Sequence, residues 1–259
     1  RHKAPFALLS ALFVSLAVFA ATFAMQSHRL ADERDLILDV FGFFDDGLLT
    51  AVNPDLGRGP GVTVRTVFDD IAGKIDAEFD DRPLVRARLH ETVGNMYKEL
   101  GVYDQAKSHI QEAYRIHREQ LGRYSPKVAT SAHNLAAVLW HTGDYASAGQ
   151  LYEFALRIRE VVFGRRSEMV ADTLNHQAAV MLRMDDLVRA EALYREALSI
   201  RRELLGENHA DVARIVNNLA KCVGKAGKLA TAEKLYRQAL AIFQELPANT
   251  QTDVARTLN

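Results

Sequence analysis

The stretch "HNLAAVLWHTGDYASAGQLYEFAL" (His133–Leu156) returns as "NNLAKCVGKAGKLATAEKLYRQAL" (Asn217–Leu240), two steps of a 42-residue period later. Working outward, Gly101, Gly143, Asp185 and Gly227 keep that step, as do Ala106, Ala148, Ala190 and Ala232. So do Ala113, Ala155, Ala197 and Ala239, the glycines Gly122, Gly164 and Gly206, and the tyrosines Tyr152, Tyr194 and Tyr236. A fixed period between about 20 and 50 residues marks a solenoid, in which each unit buries its apolar face only against its neighbours. Solenoids present surface to partners, which points away from catalysis.

Each unit reads as two helices. Ser125 is placed to cap the first and Pro126 to occupy its first position, where a missing N–H costs nothing. Val128, Ala132, Leu135 and Leu139 then share one face. Gly143-Asp144 supplies the turn; one unit later Asp185 stands where glycine would, and Asp tolerates the left-handed conformation better than most residues. The second helix starts at Tyr145 and turns Ala148, Leu151, Tyr152, Ala155, Ile158 and Val162 inward. The alanines let helices approach closely, so a large residue at Ala190 or Ala197 overpacks by about 1–3 kcal/mol.

The two quoted stretches resemble tetratricopeptide repeats of the long, 42-residue kind seen in kinesin light chains and many bacterial proteins. The resemblance covers about residues 83–259 and implies an all-α, right-handed helical-hairpin solenoid. Its units fall at about 83–122, 123–164, 165–206 and 207–248, with a truncated one at 249–259. Two positions depart from the pattern: Gln177 replaces an expected Leu and Ile110 an expected Tyr. The resemblance also implies a peptide groove lined by the first helix of each unit. There Asn134 and Asn218, with His176 in the equivalent slot, would hydrogen-bond an extended backbone. Asn95, His133, Asn175, Asn217 and Lys221 neighbour them, with Arg88 and Arg214 near the helix starts. Several of these are cationic, so the expected ligand is an acidic protein or peptide segment, or a chain-terminal carboxylate.

Upstream of the repeats, Ala4–Met25 ("APFALLSALFVSLAVFAATFAM") carries no charge. As a helix it would span roughly 33 Å against a hydrocarbon core of about 30 Å. A transmembrane helix with its basic flank (1–27) is expected, with a cleaved signal peptide as the rival reading. Arg1 and Lys3 are balanced by Arg29 and Arg34, so charge does not orient the span. Ala17, Ala20, Ala21 and Ala24 give two such spans a close-packing face, the basis for expecting a homodimer. A juxtamembrane helix and loop follow (28–62), the helix with Leu36, Val40, Phe43, Phe44 and Leu48 on one side. The loop "NPDLGRGPGV" (Asn53–Val62) packs three glycines and two prolines into ten residues. A capping helix (63–82) starts at Thr63 and places Val64, Val67, Phe68, Ile71, Ile75 and Phe79 at helical spacing.

A net charge of -1 excludes a chain built to coat nucleic acid. The one cysteine, Cys222, excludes an internal disulfide and falls on an apolar stripe with Val138 and Val180, as a buried inert thiol would. No catalytic arrangement or cofactor motif emerges. "GKAGK" (Gly224–Lys228) lacks the length and hydroxyl of a phosphate loop. "HREQ" (His117–Gln120) lacks a catalytic aspartate. Among nine histidines no pair has the spacing of a zinc-binding helix, so no metal is expected.

The order of segments is similar to that of one group of bacterial membrane-anchored serine/threonine protein kinases. A single span is followed by "NPDLGRG" and "VTVRTVFDDIA", then "LVRARLHETVGNMYKELGVYDQA" and long repeats. That resemblance implies a kinase domain upstream of Arg1, a single-pass protein of the bacterial inner membrane, and repeats outside the cytoplasm. The chain starts at Arg1 and ends in "DVARTLN", matching "DVARIVN" (Asp211–Asn217), and so reads as a fragment of a longer protein. A stand-alone anchored scaffold or a secreted repeat protein is the alternative.

Overall fold

The computed structural model describes residues 34–47 and 63–246, and every regular element among them is helical. The elements are α1 (residues 34–47), α2 (Val64–Ala72), α3 (Ile75–Glu78), α4 (Pro83–Glu99), α5 (Tyr103–Leu121) and α6 (Pro126–His141). They continue with α7 (Tyr145–Phe163), α8 (Glu168–Arg183), α9 (Leu187–Leu205), α10 (Ala210–Lys225) and α11 (Leu229–Glu245). The chain forms two compact units, one ending at Leu89 and the other starting at His90. Among the described residues no helix is long and apolar enough to cross a membrane, and the stretch Ala4–Met25 lies outside them.

In the first unit α1 turns Leu36, Val40, Phe43 and Phe44 away from solvent, while Ile37, Leu38 and Phe41 stay exposed; Leu48 lies outside the described residues. The Phe43 ring meets Phe79 edge-on at 5.3 Å. Gly47 lets α1 close onto α2, since a Cβ there would sit 2.6 Å from Ile71 Cγ1. Thr63 caps α2 by accepting from Thr66 N at 3.2 Å. The expected single capping helix over 63–82 is interrupted, however. Lys74 N bonds to Ile71 O at 3.1 Å, a tightened i−3 bond, beside Gly73, a residue that disfavours the helix interior. The chain resumes helix at Ile75, which is fully buried.

The second unit stacks hairpins in chain order from α5 to α11. Ser125 caps α6 by accepting from Val128 N at 3.2 Å, with Pro126 in the first turn. Val128, Ala132, Leu135 and Leu139 are buried as one face. The turn between the two helices of a hairpin is the same at all four places. After α6, Asp144 N bonds Leu139 O at 2.9 Å and Gly143 N bonds Trp140 O at 3.2 Å, closing the helix in a Schellman motif. After α8 the bonds run from Asp186 N to Met181 O and from Asp185 N to Leu182 O. The geometry demands a left-handed residue, φ 84° at Gly143 and φ 65° at Asp185. Asp185 is the one non-glycine with positive φ among the described residues. The next residue starts the following helix: Asp144 and Asp186 accept from Ser147 N and Arg189 N.

Between hairpins Ala106, Ala148 and Ala190 are fully buried, and Tyr152 and Tyr194 fill the space behind them. The first repeat solves the same contact differently. Ile110 stands where later repeats have Tyr, and its Cγ1 would lie 2.5 Å from a Cβ at Gly94, so a side chain branched at Cβ is matched by a residue without a side chain. Gln177 keeps its Leu position at a cost, with a buried Oε1 that has no partner. One inward assignment fails: Val162 is 43% exposed. Arg159, one turn earlier, holds the buried position instead, at 2% exposure. Cys222 is fully buried, and burial raises its thiol pKa above the ordinary value.

Candidate functional site

The first helices of neighbouring hairpins are joined by a ladder whose rungs step 43 residues. Asn134 Nδ2 donates to Glu91 Oε1 at 3.0 Å, and Asn218 Nδ2 donates to Asn175 Oδ1 at 3.2 Å. The rung between them is a ring contact, His133 against His176, with centroids 5.0 Å apart and nearly perpendicular. A 42-residue repeat offset by one residue brings position 133 of one unit beside position 176 of the next. The asparagines expected to face a peptide are therefore engaged in holding repeats together.

Beside this ladder lies a cavity of about 820 Å³. Of the residues expected in a groove, Asn175, His176, Arg214, Asn218 and Lys221 line it; Asn95, His133, Asn134 and Asn217 do not. His133 is buried, Asn217 has a buried Nδ2 without a partner, and Arg88 is an exposed residue of the first unit. Sequence reasoning missed Trp140, Arg183, Lys225 and Lys98 in the lining. The signal was present: Arg183 and Lys225 occupy the same place in successive repeats, two turns beyond the asparagine positions.

The lining carries five lysines and arginines (Lys98, Arg183, Arg214, Lys221 and Lys225) against two carboxylates, Glu99 and Asp172. Lys225 pairs with Asp185 at 2.8 Å and Arg214 with Asp211 at 2.6 Å, both outside that lining. Arg183 lies over the Trp140 ring at 5.3 Å, a cation–π contact. Trp140 Nε1 is buried and has no acceptor.

At the cavity's inner edge His133 Nε2 is 3.4 Å from Asp172 Oδ2, and His176 Nδ1 is 2.9 Å from the Asp172 carbonyl. His133 Nδ1 lies 3.1 Å from Arg159 Nη1, which also donates to Met169 O and Thr173 Oγ1. Burial, then the nearby His176 and Arg159, hold the His133 pKa well below its ordinary value. Burial, and then the charge of Asp172, push the Tyr152 phenol up. His133, Asp172 and His176 could together hold a metal ion. Reading histidine spacing along one helix missed this set because it is assembled across two hairpins.

A tetratricopeptide repeat family model matches residues 85–160, 128–203 and 169–245, overlapping windows that cover well over half of the chain. Nephrocystin-3 of Mus musculus is 31% identical over 98 residues, 38% of this chain and 7% of that protein. The Homo sapiens protein is 30% identical over 99 residues, with the same shares. The chain thus spans only a small part of these relatives' length. Among solved structures, BtubC (BKLC) from P. vanneervenii superposes with a TM-score of 0.58 at 22% identity, covering 81% of this chain and 90% of that one. A putative kinesin light chain with nearly identical TPR-like repeats from Podosopora anserina gives 0.63 at 16%, covering 79% and 94%. At such identities the likeness is one of fold. The chain belongs to the tetratricopeptide repeat family, and its array is a non-catalytic scaffold for protein–protein interaction.

Proposed function

We propose that the cavity beside the asparagine ladder captures an acidic segment of a partner protein. The observation that carries this reading is the lining's excess of cations, five against two carboxylates. Side chains of Lys and Arg in a partly dehydrated groove favour carboxylates through charge-assisted hydrogen bonds. The same proposal places the array at a bacterial cell membrane, tethered by Ala4–Met25, as the extracytoplasmic docking arm of a serine/threonine protein kinase. What supports this second part is the uncharged stretch and the order of segments that follows it. Partner capture would then bias kinase clustering, which requires different affinity for the clustered and separate states.

Trp140 is the chain's one tryptophan and lines the cavity, so its emission reports directly on occupancy. Titration with an acidic peptide should change that emission, weaken with added salt, and fail with a basic peptide of the same length. Equal response to both peptides, or to neither, overturns the acidic-ligand reading. Sequencing upstream of Arg1 tests the kinase arm: a glycine-rich phosphate loop and a catalytic aspartate loop support it, whereas their absence leaves a tethered or secreted scaffold.

A further inference from the structure

We infer that His133, Asp172 and His176 form a binding site for a divalent transition-metal ion of the zinc class, assembled between the second and third hairpins of the array. Two imidazoles and one carboxylate converge there, each offering a ligand atom, and these atoms lie within 4.8 Å of one another. An ion with nitrogen and oxygen ligands at about 2.0–2.1 Å in tetrahedral array has ligand–ligand edges of about 3.3 Å. The His133 Nε2–Asp172 Oδ2 separation of 3.4 Å already matches that edge. His176 Nδ1 lies 3.6 Å from Asp172 Oδ1, and its 42% exposed side chain leaves it room to turn onto the ion.

His176 Nδ1 now meets the Asp172 carbonyl at 2.9 Å; turning away from it, with the ring proton on the solvent-facing Nε2, frees the Nδ1 lone pair for the ion. Asp172 and His176 sit one turn apart on α8 and both line the cavity, so a fourth coordination position opens towards it. Nitrogen-rich sets of this kind suit zinc and its neighbours, whereas magnesium and calcium prefer oxygen throughout.

Arg159 is the opposing group, 4.0 Å from Asp172 Oδ2 and 3.1 Å from His133 Nδ1. Its Nη1 carries two protons and faces three acceptors: His133 Nδ1, Met169 O and Thr173 Oγ1. Releasing His133 still leaves both protons used. The ring proton of His133 then moves from Nε2 to Nδ1, freeing Nε2 for the ion; because that N–H cannot face a guanidinium, Arg159 must withdraw from His133 when the ion binds. The set is also not imposed by the repeat. At the equivalent positions of the neighbouring junctions stand Glu91, Asn134 and Thr130, or Asn175, Asn218 and Arg214. The site is independent of whether a peptide fills the cavity.

The test uses the full chain, tag-free, in detergent micelles and stripped with chelator, titrated with Co²⁺ as a spectroscopic probe and then with Zn²⁺. One equivalent of Co²⁺ should give the intense visible bands of tetrahedral coordination, and Zn²⁺ should abolish them. Asp172→Asn and His176→Ala should each weaken binding more than about tenfold, whereas His209→Ala leaves it unchanged. Circular dichroism melts establish that the variants are folded, and His176→Ala removes a half-exposed side chain. Absence of the bands, or wild-type affinity in either variant, overturns the site.

Discussion

Arg159 on α7 places Nη1 2.6 Å from Thr173 Oγ1 on α8, and both side chains are buried, at 2% and 0% exposure. One repeat earlier His117 Nδ1 meets Ser131 Oγ at 2.7 Å, across the same separation of 14 residues. One repeat later Ile215 stands at the hydroxyl position, and Arg201 turns instead to Glu168 at 2.9 Å and Asp211 at 3.6 Å. A single repeat position thus hides a polar stitch at each junction between hairpins.

Removing the Thr173 hydroxyl takes one of three acceptors from Arg159 Nη1 and a donor from Met169 O. Thr173→Val should therefore cost about 0.5–1.5 kcal/mol in chemical denaturation. The double variant Arg159→Met/Thr173→Val replaces both ends by apolar groups and should recover part of the loss. A double variant less stable than Thr173→Val would show that Arg159 is held chiefly by Met169 O and His133.

The turn after α8 offers the opposite case, a position that could be improved. Asp185 holds φ 65°, where an L-residue pays about 1–2 kcal/mol that glycine does not. Its ion pair with Lys225 is mostly solvent-exposed and offsets little. Asp185→Gly should therefore raise the melting temperature, and Asp185→Val should lower it. An unchanged or lower midpoint for the glycine variant would assign the Lys225 contact more weight than its exposure suggests.

These cases mark what the sequence carries and what it hides. Period, caps and turns are local: Ser125-Pro126, Gly143-Asp144 and the alanine series each act within a few residues, so their spacing is legible. The interruption at Gly73 and the exposure of Val162 are not, because hydrogen-bond tightening and the competing burial of Arg159 decide them. The site was legible only as a helix face. Which of its residues look into the cavity depends on the one-residue offset between stacked helices, which sets Asn134 against Glu91 and His133 against His176. Composition along one helix contains no trace of that offset.

The offset separates stability from capture. Asn134 does not line the cavity, so Asn134→Ala should lower stability by about 0.5–1.5 kcal/mol, the worth of its bond to Glu91, with acidic-peptide affinity retained. Lys221→Glu and Arg183→Glu, which reverse charges in the lining, should reduce affinity at least tenfold and leave the melting temperature nearly unchanged. Trp140 emission measures affinity in all three variants. The reverse pattern, with Asn134→Ala abolishing capture, would return that asparagine to the peptide-binding role the sequence resemblance implies.

Acid should release a different tie. Glu191 on α9 accepts from Lys228 Nζ at 2.9 Å and from Arg195 Nη2 at 2.7 Å, and so joins α9 to the residue preceding α11. Hydrogen bonds from Lys228, then from Arg195, lower its pKa below the ordinary carboxylate value. Between that lowered value and the ordinary one, the unfolded chain binds the proton and the folded chain does not. The contribution is thus complete above about pH 4.3 and is lost as pH falls through the folded pKa. Glu191→Gln should be less stable than the parent at neutral pH, by about 0.5–1 kcal/mol for a pair this near the surface. The gap should narrow steadily on acidification below about pH 4.3. Melting curves of both proteins across that range decide it: a gap that stays constant would mean that the charge on Glu191 contributes nothing and that only its shape is needed.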